Sequence, residues 1–202
     1  QGTKEEILKI EDLLKRNKWQ VSSYMGKNGT EESFLNMHGK SPKLLHLATH
    51  GFYYTPNRAE NVDYLKGYTD AMSLSGLVLS GGNAAWLGKP LPKGVLGGIL
   101  SANDIARLDL SNTDMVVLSA CQTGQGKATS EGLYGLQRAF KKAGVGTIVM
   151  SLWNVSDKTT SEFMTTFYER LADKKNAWNK RKAFEEAKEI IRKKHPDPFH
   201  WA

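Results

Sequence analysis

Two short runs constrain this chain more than any other feature: Leu44-Leu45-His46-Leu47-Ala48-Thr49-His50-Gly51 and Asp114-Met115-Val116-Val117-Leu118-Ser119-Ala120-Cys121-Gln122-Thr123-Gly124. Each is a brief apolar run that ends in small residues and then a glycine, the pattern of a buried strand rather than of an amphipathic helix. Helical segments lie around them. Thr3 to Arg16 repeats apolar residues at helical spacing, with a capping box available to Thr3 and Glu6. Gly29 to Ser33 starts a short helix, Ser101 to Ile105 opens another by capping, and Glu131 to Ala143 is a helix stopped by Gly144. Lys158 to Leu171 and Ala177 to Lys194 read as helices, the latter ended by Pro196. Further strands are expected at Trp19 to Met25, Ser75 to Ser80 and Gly146 to Leu152, with Gly81-Gly82-Asn83 as a hairpin-type turn. Strands that alternate with helices predict a three-layer α/β/α sandwich on a mostly parallel sheet. The stretch from Gly51 to Gly98 is irregular and rich in Gly, Asn, Tyr and Pro, as functional loops are.

Composition narrows the class. At 202 residues, 40% hydrophobic and 24% charged, the chain suits one large globular domain over 1–202 that needs no disulfide or metal staple. One cysteine forms no internal disulfide, which favours a reducing, cytoplasmic setting. No apolar run approaches the roughly 18 residues of a membrane span. The chain begins at Gln1, as a piece excised from a longer protein would. The net charge of +7 is concentrated late, in Lys174-Lys175, Lys180-Arg181-Lys182 and Arg192-Lys193-Lys194-His195. Such charge attracts nucleic acid or acidic partners. Here Glu185, Glu186 and Glu189 interleave as intrahelical partners and no aromatic platform is evident, so the expectation is a solvated helix face.

The chemistry converges on the ends of the two runs. In open parallel sheets ligands bind beyond the carboxyl ends of the strands. There Cys121 is flanked by small or flexible residues, so a substrate backbone can approach, whereas a thiol inside the run would be inert core. His50 ends the other run. An imidazole beside a thiol favours the thiolate and can protonate a leaving amine. His46 lies inside its apolar run and reads as structural. The backbone N–H groups of Gly51 and Cys121 could form a two-donor oxyanion hole.

Four blocks carry a resemblance: Leu45 to Gly51, Val116 to Gly124, Glu131 to Val145, and Ser151-Leu152-Trp153-Asn154-Val155-Ser156-Asp157 with Thr160. With Ser101 to Ile105 they cover most of residues 5–202, and on them the chain resembles the CHAT domains, a caspase-like and separase-like family of cysteine peptidases. The resemblance implies a caspase-like fold and a cysteine endopeptidase with Cys121 as nucleophile and His50 as its partner. It also implies an oxyanion hole at Gly51 and Cys121, and an S1 region near Trp153 and Asp157. Asp157 is also suited to cap the helix that follows it, its expected main role. No metal and no cofactor are implied. The implied partners are a protein substrate and an activating domain or protein, commonly of the TPR type, with nucleic acid involved only indirectly if at all. Bacterial members often act in defence.

Other readings are a catalytically silent protease-like module and a basic nucleic-acid- or protein-binding module. A class I glutamine amidotransferase is excluded, because its Gly-x-Cys-x-Gly elbow meets Ser119 before Cys121 and Thr123 after it.

Overall fold

The computed structural model describes residues 2–54, 70–91, 95–119, 130–151 and 156–201. Two compact units emerge: Tyr24–Asn154, and Gln1–Ser23 together with Val155–Ala202.

In the first unit the two constraining runs become β1 (Leu44–Leu47) and β5 (Met115–Leu118). They pair in parallel, Leu44 opposite Met115 through Leu47 opposite Leu118, and β5 pairs in parallel with β6 (Thr147–Met150). The central strand is β5, and all four of its residues are buried. A strand covered on both faces needs the unbroken apolar run that the sequence supplies. A second sheet is antiparallel, ordered β2 (His50–Tyr53), β3 (Ser75–Val78), β4 (Ile99–Ser101). This unit's helices are α2 (Glu31–Leu35), α3 (Gly82–Trp86), α4 (Ala102–Ala106) and α5 (Ser130–Lys142). One buried cluster joins Phe34 of α2, Leu45, Leu77, Leu100, Ile105, Val116 and Phe140 of α5. Phe34 and Phe140 meet edge to face at 6.5 Å.

Close approach fixes how these parts meet. A Cβ on Gly76 would lie 2.3 Å from the Leu100 carbonyl and 2.8 Å from the Phe52 ring. A Cβ on Gly135 of α5 would lie 2.3 Å from Ser75 Oγ. Glycine is therefore required where β3 passes β4 and where α5 crosses the start of β3.

The second unit is helical: α1 (Gly2–Arg16), α6 (Asp157–Ala172) and α7 (Lys180–Lys194). Helix α6 packs on both α1 and α7. Phe163 and Phe167 of α6 meet Phe184 of α7 edge to face, at 5.1 and 5.9 Å. Tyr168 is wholly buried, and burial in the first place, then the nearby Glu6 charge, raises its phenol well above the ordinary value. Glu162 of α6 accepts from Lys194 Nζ at 2.7 Å and pairs with His195 Nε2 at 2.9 Å, tying α6 to the end of α7. No helix of the described residues is long and apolar enough to cross a membrane.

The parallel α/β architecture read from the sequence is present, and four local expectations change. Residues 19–25 form no strand; the segment runs into a 3₁₀ turn at Gly26–Asn28, and no strand among the described residues pairs with it. His50–Tyr53 is a strand where irregular chain was expected, because its partner β3 supplies a ladder that local pattern does not reveal. Gly81 adopts φ of +91° and leads into α3 instead of a hairpin turn. Helix α7 begins at Lys180, not Ala177, because Ala177 and Trp178 have φ of +44° and +61° and Asn179 is the cap, its side chain accepting from the Lys182 N–H at 3.0 Å.

Two stability outcomes follow. Gly76→Ala lowers unfolding free energy by about 2–3 kcal/mol, read by urea denaturation, because neither the Leu100 carbonyl nor the Phe52 ring can yield cheaply. The Glu162 carboxyl is held below the ordinary carboxylate value by Lys194 first and His195 second. A depressed carboxylate contributes fully above its unfolded value, and that contribution is lost as pH falls through the folded value. Glu162→Gln therefore lowers Tm by about 1–4 °C at pH 7, as expected for a part-exposed pair. In thermal scans at falling pH the gap between the two proteins closes only once the pH has passed below the ordinary carboxylate value.

Candidate active site

The parallel pairing of β1 with β5 stops at one bond, Ser119 N–H to the Leu47 carbonyl at 3.0 Å. Beyond Leu47 the chain leaves the parallel sheet. The Thr49 hydroxyl donates to the Val78 carbonyl, and His50, opposite Val78, opens β2 in the antiparallel sheet. His50 thus stands at the carboxyl end of β1, three residues past Leu47. Its side chain is exposed and has no hydrogen-bond partner among the described residues. His46 sits mid-strand opposite Val117, half-buried and engaged, as a structural histidine would be.

The register also orients Gly51. The Tyr54 N–H donates to the Leu74 carbonyl at 2.9 Å. Antiparallel ladders alternate bonded and non-bonded pairs. Counting back from Tyr54–Leu74, the pairs Phe52–Gly76 and His50–Val78 are bonded, and Gly51–Leu77 is not. The buried Gly51 therefore directs its N–H away from β3, at the outer edge of β2.

Three of the residues singled out from the sequence lie at least partly beyond what is described. Cys121 is outside the described residues; in the sequence it follows Ser119 by two positions and Leu118 by three. Trp153 is likewise outside them. Asp157 is the first residue of α6, and its side chain is outside the described atoms. One expectation for it is corrected. The cap of α6 is Ser156, whose hydroxyl accepts from the Thr159 N–H at 3.2 Å. Ser156 has the extended backbone a cap requires, so the aspartate after it falls inside the first turn.

Capping at Ser101 is as the sequence foretold. Its hydroxyl accepts from the Asp104 N–H at 3.2 Å, and the Asp104 carboxylate accepts from the Ser101 N–H at 3.1 Å. Sequence reasoning missed a neighbouring network. The Asp70 carboxylate accepts from the Ser73 N–H at 2.9 Å, while the Asn103 amide on α4 donates to Ser73 Oγ at 2.7 Å. The Ser73 hydroxyl is the chief cause that holds Asp70 below the ordinary carboxylate value. These residues anchor the turn before β3. Each is unremarkable in sequence, and only the fold brings Asn103 to the turn.

The described part of the site is an exposed imidazole and an outward N–H beyond the end of one parallel strand. The chain's one thiol follows in sequence from the end of the adjacent strand. The family model of the CHAT domain matches residues 1–202, the whole chain. The protein belongs to the CHAT family, a caspase-like, peptidase-related domain. The chain is also similar to Tetratricopeptide repeat protein 28 of Mus musculus, 33% identical over 106 residues, and to that of Homo sapiens, 32% identical over 106 residues. Those matches take in 52% of this chain and only 4% of either relative. No solved structure matches.

Proposed function

We propose that the protein is a cysteine endopeptidase acting through a Cys121–His50 dyad. The observation that carries this reading is the register. Leu47 and Leu118 are partners on adjacent parallel strands, and His50 and Cys121 each follow them by three residues in the sequence. The family's peptidase relationship adds to it.

In this reading the Cys121 thiolate attacks the scissile carbonyl carbon. A carbon–sulfur bond forms and the carbonyl electrons move to oxygen. The N–H groups of Gly51 and Cys121 stabilise that oxyanion, and the outward direction of the Gly51 N–H suits it to the task. Protonated His50 gives its proton to the leaving amine as the carbon–nitrogen bond breaks. Water, deprotonated by His50, then hydrolyses the thioester and returns the thiol. Trp153 and Asp157 are our candidates for the S1 wall. Asp157, at the start of α6, is our candidate to receive a basic P1 side chain.

Residues 1–202 act in this account as one peptidase domain of a longer protein in a reducing, cytoplasmic setting, of the kind bacteria use in defence. A TPR-type segment or partner regulates it, in keeping with the relatives named for such repeats.

Cys121→Ala and His50→Ala each reduce cleavage of a proteome-derived peptide library by at least about a thousandfold, with thermal melts unchanged. Retained cleavage in Cys121→Ala overturns the assignment. Gly51→Pro deletes the proposed oxyanion donor without removing a ladder bond to β3. It lowers kcat/KM by about 10²–10³-fold while the far-ultraviolet circular dichroism stays that of the parent.

A further inference from the structure

We propose that the corner of the helical unit bearing Lys18, Trp19, Lys174, Lys175, Trp178 and Arg181 is a docking surface for single-stranded nucleic acid. This goes beyond the peptidase reading and does not rest on it.

The corner is made by two loops. The Trp19 ring, just after α1, lies 4.7 Å from the Trp178 ring, just before α7, at 37° to it. Both tryptophans are half-buried, each leaving part of its surface to solvent. The sequence pattern shows no aromatic platform, but the fold brings two indoles together: Trp178 sits between the two basic clusters, and Trp19 joins it from a distant part of the chain.

Charge on α7 divides in two. At its end, Arg192 and Lys193 lie 3.0 and 3.8 Å from Glu189, and Lys194 lies 2.7 Å from Glu162. Each of those cations has a carboxylate partner, Arg192 and Lys193 sharing Glu189 within the helix as the sequence suggested. The corner differs. Exposed Lys18, Lys174, Lys175 and Arg181 have no carboxylate partner among the described residues, and Lys182 reaches Glu186 only at 3.9 Å. The first turn of α7 carries no acidic residue.

Unpaired cations around a half-buried indole pair match the chemistry of an unpaired strand. Phosphates meet the lysines and Arg181, while bases stack on the indoles. An acidic protein segment would use the cations but has no need of the indoles. In a duplex the base faces are already stacked on one another, so the indoles favour a single strand.

The test is fluorescence anisotropy of the full 202-residue chain with labelled mixed-sequence RNA and DNA oligonucleotides of about 12 nucleotides, in a salt series. Binding that weakens steeply with salt is expected, accompanied by quenching of tryptophan fluorescence. Lys174→Ala/Lys175→Ala/Arg181→Ala shallows the slope of log affinity against log salt by about 2, three contacts at roughly 0.7 each. Trp178→Leu weakens binding by about 5- to 150-fold and leaves that slope unchanged. Arg192→Ala/Lys193→Ala, at the end where both cations lie against Glu189, stays within about twofold of the parent. Where Trp178→Leu alters the thermal melt, the quenching of the parent protein carries the test. The proposal is overturned by absence of binding at low salt, by unquenched tryptophan fluorescence, or by equal losses in the corner and control variants. It is also overturned if a poly-glutamate peptide displaces the oligonucleotide with the same variant dependence, which would assign the corner to an acidic protein.

Discussion

The Ser119 N–H reaches the Leu47 carbonyl at 3.0 Å, and this last bond of the β1–β5 ladder sets where both chains leave the parallel sheet. One chain turns at Thr49, whose hydroxyl holds the Val78 carbonyl, and enters a second, antiparallel sheet at His50. The other proceeds from Ser119 toward the cysteine. A slip of one residue in this pairing would turn every side chain of β5 to the opposite face. The four buried residues of β5 and its partners on both sides resist that slip. The hydrophobic core thus fixes the register, and the register fixes which residues stand at the carboxyl ends of the strands.

The antiparallel sheet carries the other half of the proposed site. Its ladder ties down the His50 backbone and leaves the Gly51 N–H outside the pairing. That ladder depends in turn on two close approaches, Gly76 beneath the Leu100 carbonyl and Gly135 against Ser75. These glycines do not touch substrate in our account. They set the spacing between β3, β4 and α5, and through β3 the line of β2.

Much of this was legible in the sequence because core strands and caps have local causes. The run at Met115–Leu118 and the Ser101–Asp104 box specify themselves. What was not legible depends on distant partners. His50–Tyr53 has no alternating pattern and becomes a strand through β3. The loop at Ala177 and Trp178 looks like the start of a helix, yet Trp178 lies tilted against Trp19 and Asn179 takes the cap. Similarly, Asp157 looked like a cap because Asp commonly is one, but the serine before it has the extended backbone a cap needs. For the site, residue types and spacing pointed to His50 and Gly51, and the register added the direction of the Gly51 N–H. Cys121, Trp153 and the Asp157 side chain lie outside the described part of the structure, so their roles rest on sequence and family.

Because the chain has one cysteine, the central claim can be tested without a substrate or an activator. The measurement is the rate of iodoacetamide alkylation against pH, in the parent and in His50→Ala. The account predicts that the parent alkylates rapidly at neutral pH, with a midpoint well below the roughly 8.5 of a free thiol, and that His50→Ala returns the midpoint to about that value. Identical profiles in the two proteins, or a parent thiol no more reactive than a free one, would contradict it.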